Sequence, residues 1–412
     1  MTFFKNRFRR LLPILAIIGP GIIAGNADND AGGITTYSIA GAHYGYSLLW
    51  ILLITTFALA VTQEIGARMG LATGKGLASL VREKFGLRWT AFIMTVFIVA
   101  NIGVTAAEFA GIAAAMEIFN IPRFFSVPVA AFLVYLFITK GNFKTLERVF
   151  LILSSFYIVY ILSAIFAKPD WGLAVKSLVI PSFSYNTSFI LTAIAVIGTT
   201  ITPWGQFFIQ SYVVDKKLTV NDLKVERIDV FFGSFLTNFF SFFIIVACAA
   251  TIFATGKSIV DAKDAALALQ PLVGNLASSL FAFGLLNASI FGACILPTST
   301  AYVVTEAFGF ESGLDHSFKE APQFYTIFTL FLIIGAIIVA FPFIPLIKIL
   351  VLSQVLNAIL LLPIFVFLYL LSNDKKLLNG HTNGKIVNII VAIAFVLIAA
   401  LSTIYMFSVF FH

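Results

Sequence analysis

Along the whole chain, long apolar runs alternate with short polar connections. Eleven runs approach the roughly 20 residues that an α-helix needs to cross a bilayer. They cover about 11–42, 48–70, 89–116, 125–138, 149–167, 189–214, 230–254, 276–308, 325–340, 346–371 and 386–407. The pattern predicts an all-α polytopic membrane protein with a single transmembrane domain over residues 1–412. Pro297 predicts a kink in the eighth run.

Two runs are broken in mid-course. The first contains Ala27-Asp28-Asn29-Asp30-Ala31-Gly32-Gly33. Two carboxylates there fall near the bilayer centre, where each costs about 3 kcal/mol or more unless it has a partner or a function. The adjacent glycines weaken the helix at the same point. The sixth run is interrupted at Ile201-Thr202-Pro203-Trp204-Gly205-Gln206. Pro203 lacks a backbone donor and clashes with the preceding turn. Thr200, Thr202 and Gln206 bring neutral oxygens to membrane depth. A proline kink alone is common in membrane helices, and it gains weight from its pairing with the Asp30 break. The breaks stand five segments apart, and an odd number of helices per repeat inverts the second copy. Paired broken helices in corresponding positions mark a transporter binding site, with freed carbonyls and half-helix ends facing a cavity. The repeats then run over about 11–167 and 189–371, followed by an eleventh helix at 386–407.

Composition narrows the class. The 412 residues are 60% hydrophobic and 11% charged, with 46 Phe, which excludes an ordinary soluble domain. The Phe richness reads as lipid-facing filler. A net charge of +7 does not imply nucleic-acid binding, because the basic residues sit between apolar runs. With the amino terminus placed inside, nineteen Lys and Arg fall on that side and five on the other. This bias predicts a cytoplasmic amino terminus and an external carboxyl terminus, in the plasma (inner) membrane of a bacterium. The basic start, Lys5 to Arg10, looks like a signal peptide, but no soluble mature domain follows it. Cys248 and Cys294 lie within apolar runs and read as packed thiols. Glu64 and Arg68, spaced i, i+4, are expected to pair. The runs hold no HExxH, Ser/Lys dyad or His/Asp cluster, which argues against a membrane-embedded enzyme.

Several motifs resemble the Nramp divalent-metal transporters. The stretch from Asp30 to Trp50, ending in Ala42-His43-Tyr44-Gly45-Tyr46-Ser47-Leu48-Leu49-Trp50, looks like the first helix of that family. Gly70-Leu71-Ala72-Thr73-Gly74-Lys75, Ala107-Glu108-Phe109-Ala110-Gly111, the proline break and Leu352-Ser353-Gln354-Val355 follow in the family's order. The resemblance covers essentially the whole chain. It implies a LeuT-like fold of two inverted five-helix repeats plus an eleventh helix, with helices 1 and 6 broken. It also implies a metal site drawn from Asp30, Ala27, Gly33, Thr199, Thr202 and Gln354, with Asp28, Trp204, Gln206, Glu108 and Thr105 as accessory candidates. For Gln354 a plain interhelical hydrogen bond is the alternative.

The departures from the family point to the cargo. The family's Asp-Pro-Gly-Asn is here Asp30-Ala31-Gly32-Gly33, and its Met-Pro-His is Thr202-Pro203-Trp204. The thioether that selects soft transition metals is replaced by a hydroxyl, leaving an all-oxygen site. Mg²⁺ takes octahedral oxygen ligands and keeps several waters. One carboxylate, a second at Asp28, and two glycines that make room suit a largely hydrated Mg²⁺, with Mn²⁺ also passing. The pattern is most similar to the Nramp-related magnesium transporters. Proton machinery is depleted: His43, His316 and His381 fall in loops, His412 ends the chain, and Thr105 stands where the family has an Asp. The expectation is uncoupled uptake of Mg²⁺ or Mn²⁺ by a monomer in the lipid bilayer, with no cofactor. Proton-coupled Mn²⁺/Fe²⁺ transport through Glu108, or a LeuT-like organic solute carrier, are the alternatives.

Overall fold

A computed structural model describes residues 28–141, 149, 152, 155–257, 259–260, 262–311, 313–314, 316–341 and 344–410. Among them the regular elements are helices: α1 (Ala31–Tyr44), α2 (Leu49–Thr73), α3 (Leu77–Phe85), α4 (Leu87–Ile118), α5 (Arg123–Lys140), α6 (Ile158–Phe166) and α7 (Trp171–Val179). Then come α8 (Thr187–Thr200), α9 (Pro203–Asp215), α10 (Leu223–Thr251), α11 (Ala277–Phe308), α12 (Pro322–Ala340), α13 (Leu346–Ser372) and α14 (Lys385–Phe410), with short helical turns between α10 and α11.

Nine spans among the described residues are long and apolar enough to cross a membrane. They correspond to the second, third, fourth and sixth to eleventh runs of the sequence. Of the first run α1 is described, and of the fifth mainly α6. Helices α4 and α5, at 32 and 18 residues, are longer than the third and fourth apolar runs that they contain. An apolar run stops at its first charge, whereas backbone hydrogen bonding continues, as through Arg123 and Lys140 at the ends of α5. Two short helices in the connections, α3 and α7, have no counterpart in the hydropathy pattern. The amphipathic α3 buries Leu77, Ala78, Leu80 and Val81 and turns Arg82 and Lys84 outward. Pro297 lies inside α11 without ending it.

Burial separates centre from rim. The α8–α9 span is 89% buried within the protein, against 22% for α5 and 28% for α14. Helix α4 packs on α11, α12 and α13, α10 packs on α1 and α2, and α8 packs on α13 and α1. The two broken segments therefore meet in the middle. Phe97, Phe109, Phe207, Phe281, Phe291, Phe324, Phe328 and Phe365 are fully buried, so phenylalanine here fills the core as well as the lipid face. Cys248 and Cys294 are buried and free.

Candidate ion site

Both breaks are built the same way. Helix α1 starts at Ala31 because Asp30 is extended and its Oδ1 accepts from Gly33 N at 2.6 Å. Helix α9 starts at Pro203, whose missing N–H costs nothing at the first helical position. Thr202 Oγ1 accepts from Gly205 N at 3.2 Å. Each half-helix thus has an oxygen cap three residues before the N–H that it satisfies. A half-helix amino terminus carries partial positive charge, and in α1 the Asp30 carboxylate offsets it.

Three carboxyl groups surround this junction, and all are buried. Asp30 Oδ2, Asp28 Oδ2 and Glu108 Oε1 have no hydrogen-bond partner. Glu108, from α4, accepts from Ala31 N at 3.5 Å and is close enough to Asp30 for the carboxyls to act on each other. Its room comes from Gly292 on α11, where a Cβ would lie 2.3 Å from Glu108 Oε2. Gln354, from α13, presents its unpartnered Nε2 to Gly32 and Asp30. Its Oε1 accepts from Asn357 Nδ2 at 3.0 Å within the same helix. Among the described residues, no three His, Cys, Asp or Glu side chains converge on one point.

Asp28 faces the other break. Its Oδ1 accepts from Thr202 Oγ1 at 3.1 Å, and its backbone oxygen accepts from Thr199 Oγ1 at 3.4 Å. Tyr37 and Thr200 join α1 to α8 through their hydroxyls at 2.8 Å. Asn29, which the sequence did not single out, anchors the unwound stretch. Its Nδ2 donates to Thr237 O at 3.1 Å, its Oδ1 accepts from Ser241 Oγ at 2.9 Å, and its carbonyl accepts from Tyr157 Oη at 2.6 Å. An Asn between two Asp carries no special signal until α10 is known to lie beside it.

The structure corrects the expectation that the glycines leave empty room. A Cβ on Gly32 would fall 1.9 Å from Gln354 Nε2. A Cβ on Gly33 would fall 2.7 Å from Asp28 O and 3.0 Å from Thr199 Oγ1. Protein polar groups occupy the space that the missing side chains release. Asp28, Asp30, Gly33, Thr199, Thr202, Gln354 and Glu108 are thus brought together. Thr105 is not: its methyl packs on Gly335 of α12 and its buried hydroxyl is unpartnered. Trp204 is buried and lies 5.7 Å from Phe208, centroid to centroid, with Nε1 unpartnered. Gln206 is buried with both amide atoms unpartnered. Ala27 lies outside the described residues. His43 is in the last turn of α1 and not in a loop; its Nε2 accepts from Ile259 N at 3.2 Å.

Comparison with known proteins agrees with this architecture. Residues 21–408 match the family described as natural resistance-associated macrophage protein-like. The chain is 27% identical over 409 residues to the divalent metal cation transporter MntH of Bacillus subtilis, covering 96% of this chain and 92% of the relative. It is 30% identical over 307 residues to the MntH of Deinococcus radiodurans, covering 70% and 67%. In three dimensions it is similar to the Eremococcus coleocola manganese transporter solved with an aromatic bis-isothiourea substituted compound. That match has a TM-score of 0.77 and 20% identity, and covers 96% of this chain and 86% of the other. The fold is the LeuT-like arrangement that the family resemblance implied.

Proposed function

This chain belongs to the Nramp family, and from that premise we propose that it is a secondary transporter that takes up divalent metal cations, chiefly Mg²⁺ and Mn²⁺ in largely hydrated form, without proton coupling. The observation that carries this is Asp30: a buried carboxylate at the start of a broken helix, with one oxygen capping Gly33 and the other unpartnered. Thr199, Thr202, Gln354 and the backbone oxygens of Asp28 and Asn29 in the described stretch before α1 are further hard donors near the breaks. At the breaks the described side chains bring oxygen and amide groups, with Thr202 standing where the family has a thioether. Oxygen donors of this kind favour a hard divalent ion, and Mg²⁺ in such sites usually keeps several waters.

An organic carboxylate would need the half-helix N–H groups. Here Gly33 N and Gly205 N are already capped, and Asp30 would repel an anion. The reading places it as a monomer in a bacterial plasma membrane with the amino terminus inside, the orientation that the bias of basic residues between the runs supports. The two repeats and the eleventh helix form one transporter domain over 1–412.

A second reading is supported by Glu108, whose carboxyl lies against Asp30 with Oε1 unpartnered. It is a candidate proton carrier for coupled Mn²⁺ uptake of the ordinary family kind. The test of the main reading is divalent uptake into proteoliposomes. Asp30→Ala should abolish it in protein that still inserts and elutes as a monodisperse species; uptake at the wild-type rate would refute the site.

A further inference from the structure

A second polar cluster lies on the α9 side of the break. Gln63, from α2, is fully buried, yet neither its Nε2 nor its Oε1 has a hydrogen-bond partner. Leaving such groups unpaired costs about 1–3 kcal/mol each. The amide is aimed at Gly205. A Cβ there would lie 3.7 Å from Gln63 Nε2, 2.9 Å from Thr202 Oγ1 and 3.8 Å from Asp28 Oδ1. Glycine at 205 therefore lets polar groups from α2, α9 and the unwound stretch before α1 approach one another closely. Asp28 Oδ2 is also buried and unpartnered.

We propose that Asp28 and Gln63, with Thr202 shared between them and the Asp30 site, form a second station for a divalent cation, adjoining the station at Asp30. It rests on the transport reading above and adds a step to it. Carboxylate, hydroxyl and amide oxygens are the hard donors that Mg²⁺ and Mn²⁺ prefer. A half-turn of the Gln63 amide puts Oε1 where Nε2 now stands. Asp28 and Asp30 are two residues apart, so two divalent ions repel strongly and one ion moves between the stations. The Asp28 station lies toward the end of the bundle where α2 and α9 finish together, joined there by Gln210 Nε2 donating to Lys75 O at 2.8 Å. With the amino terminus inside, that end is cytoplasmic and the station serves release.

The test is Mn²⁺ binding to purified protein by calorimetry, alongside Mn²⁺ uptake in proteoliposomes. Asp30→Asn keeps a capping side chain; it should retain one Mn²⁺ site at least tenfold weaker than wild type. Adding Asp28→Asn should abolish that residual binding, adding Gln63→Leu should weaken it at least tenfold, and adding Gln63→Glu should tighten it. In the otherwise wild-type chain, Gln63→Leu should slow uptake at least tenfold while Mn²⁺ affinity stays within about threefold. Absence of residual binding in well-folded Asp30→Asn, residual binding indifferent to Asp28 and Gln63, or wild-type uptake by Gln63→Leu would each overturn the second station. Failure of the transport reading looks different: the wild-type protein itself would neither bind nor take up Mn²⁺.

Discussion

Restoring the family's asparagine at position 33 is the substitution on which sequence and structure disagree. By resemblance alone, Gly33→Asn returns a missing ligand and should strengthen metal binding. In the structure, the Cβ would lie 2.7 Å from the backbone oxygen of Asp28 and 3.0 Å from Thr199 Oγ1. The first neighbour is backbone, held in place by Asn29 bonding to α10, so it cannot swing aside as a side chain would. Overpacking of this kind costs about 1–3 kcal/mol. At about 1.4 kcal/mol per factor of ten, that is roughly a 5- to 150-fold loss of the binding conformation. Calorimetric Mn²⁺ titration should show a fall in affinity of that size, and thermal unfolding in detergent should shift down. Gly33→Ala should reproduce most of the loss, because the Cβ causes it. A Gly33→Asn protein that binds Mn²⁺ at least as tightly as wild type, with unchanged melting, would refute the reasoning: the close approach of Asp28 O would then not belong to the state that binds.

Cd²⁺ should compete poorly with Mn²⁺ for uptake, since Thr202 offers oxygen where a soft ion wants sulfur; Thr202→Met should raise relative Cd²⁺ affinity only in part, and strong Cd²⁺ preference in the native protein would contradict the hard site. On the exposed connection before α14, Lys84 Nζ at 2.5 Å from Asp374 Oδ2, with help from the N–H groups of Leu377 and Lys376, holds the Asp374 carboxyl below the usual carboxylate range. Its small stabilising contribution is present above the ordinary carboxylate pKa and fades as pH falls through the depressed value. Asp374→Asn should therefore lower the melting temperature slightly at neutral pH and not at strongly acidic pH; an equal shift at both would show that the ion pair is not responsible.

The two breaks were legible because their causes are local: Pro203 and the capping Asp30 each start a helix where they stand, while Gly32 and Gly33, read as weakening the helix, lie within the first turn of α1. The spans were legible because lipid demands continuous apolar length, and the Glu64–Arg68 pair because i, i+4 spacing suffices, with 3.1 Å found between them. What Arg68 does beyond that was not legible. It also donates to His381 O and to Asn383 Oδ1, tying α2 to the connection before α14, while Arg227 reaches Glu64 at 2.7 Å. These are contacts across more than 150 residues of chain. Gln63 is the clearest omission. A single Gln in an apolar helix reads as an ordinary interhelical bond, and its significance appears only when Gly205 of another segment is seen beside it. The filling of the glycine space was hidden for the same reason, because Gln354 and Thr199 arrive from α13 and α8. Thr105 was singled out because the family has an Asp there; that its methyl packs on Gly335 of α12 could be seen only in three dimensions.

The central claim is that Asp30 carries a hydrated divalent ion down its own electrochemical gradient, with no proton moving alongside. Simultaneous recording of Mn²⁺ or Mg²⁺ influx and of luminal pH in proteoliposomes, at a set membrane potential, tests it most directly. Influx should increase as the interior is made negative, because two charges crossing the whole potential gain roughly 4.6 kcal/mol per 100 mV. Luminal pH should stay constant throughout. Acidification that scales with metal influx and disappears in Glu108→Gln would contradict the claim and establish Glu108 as a coupled proton carrier.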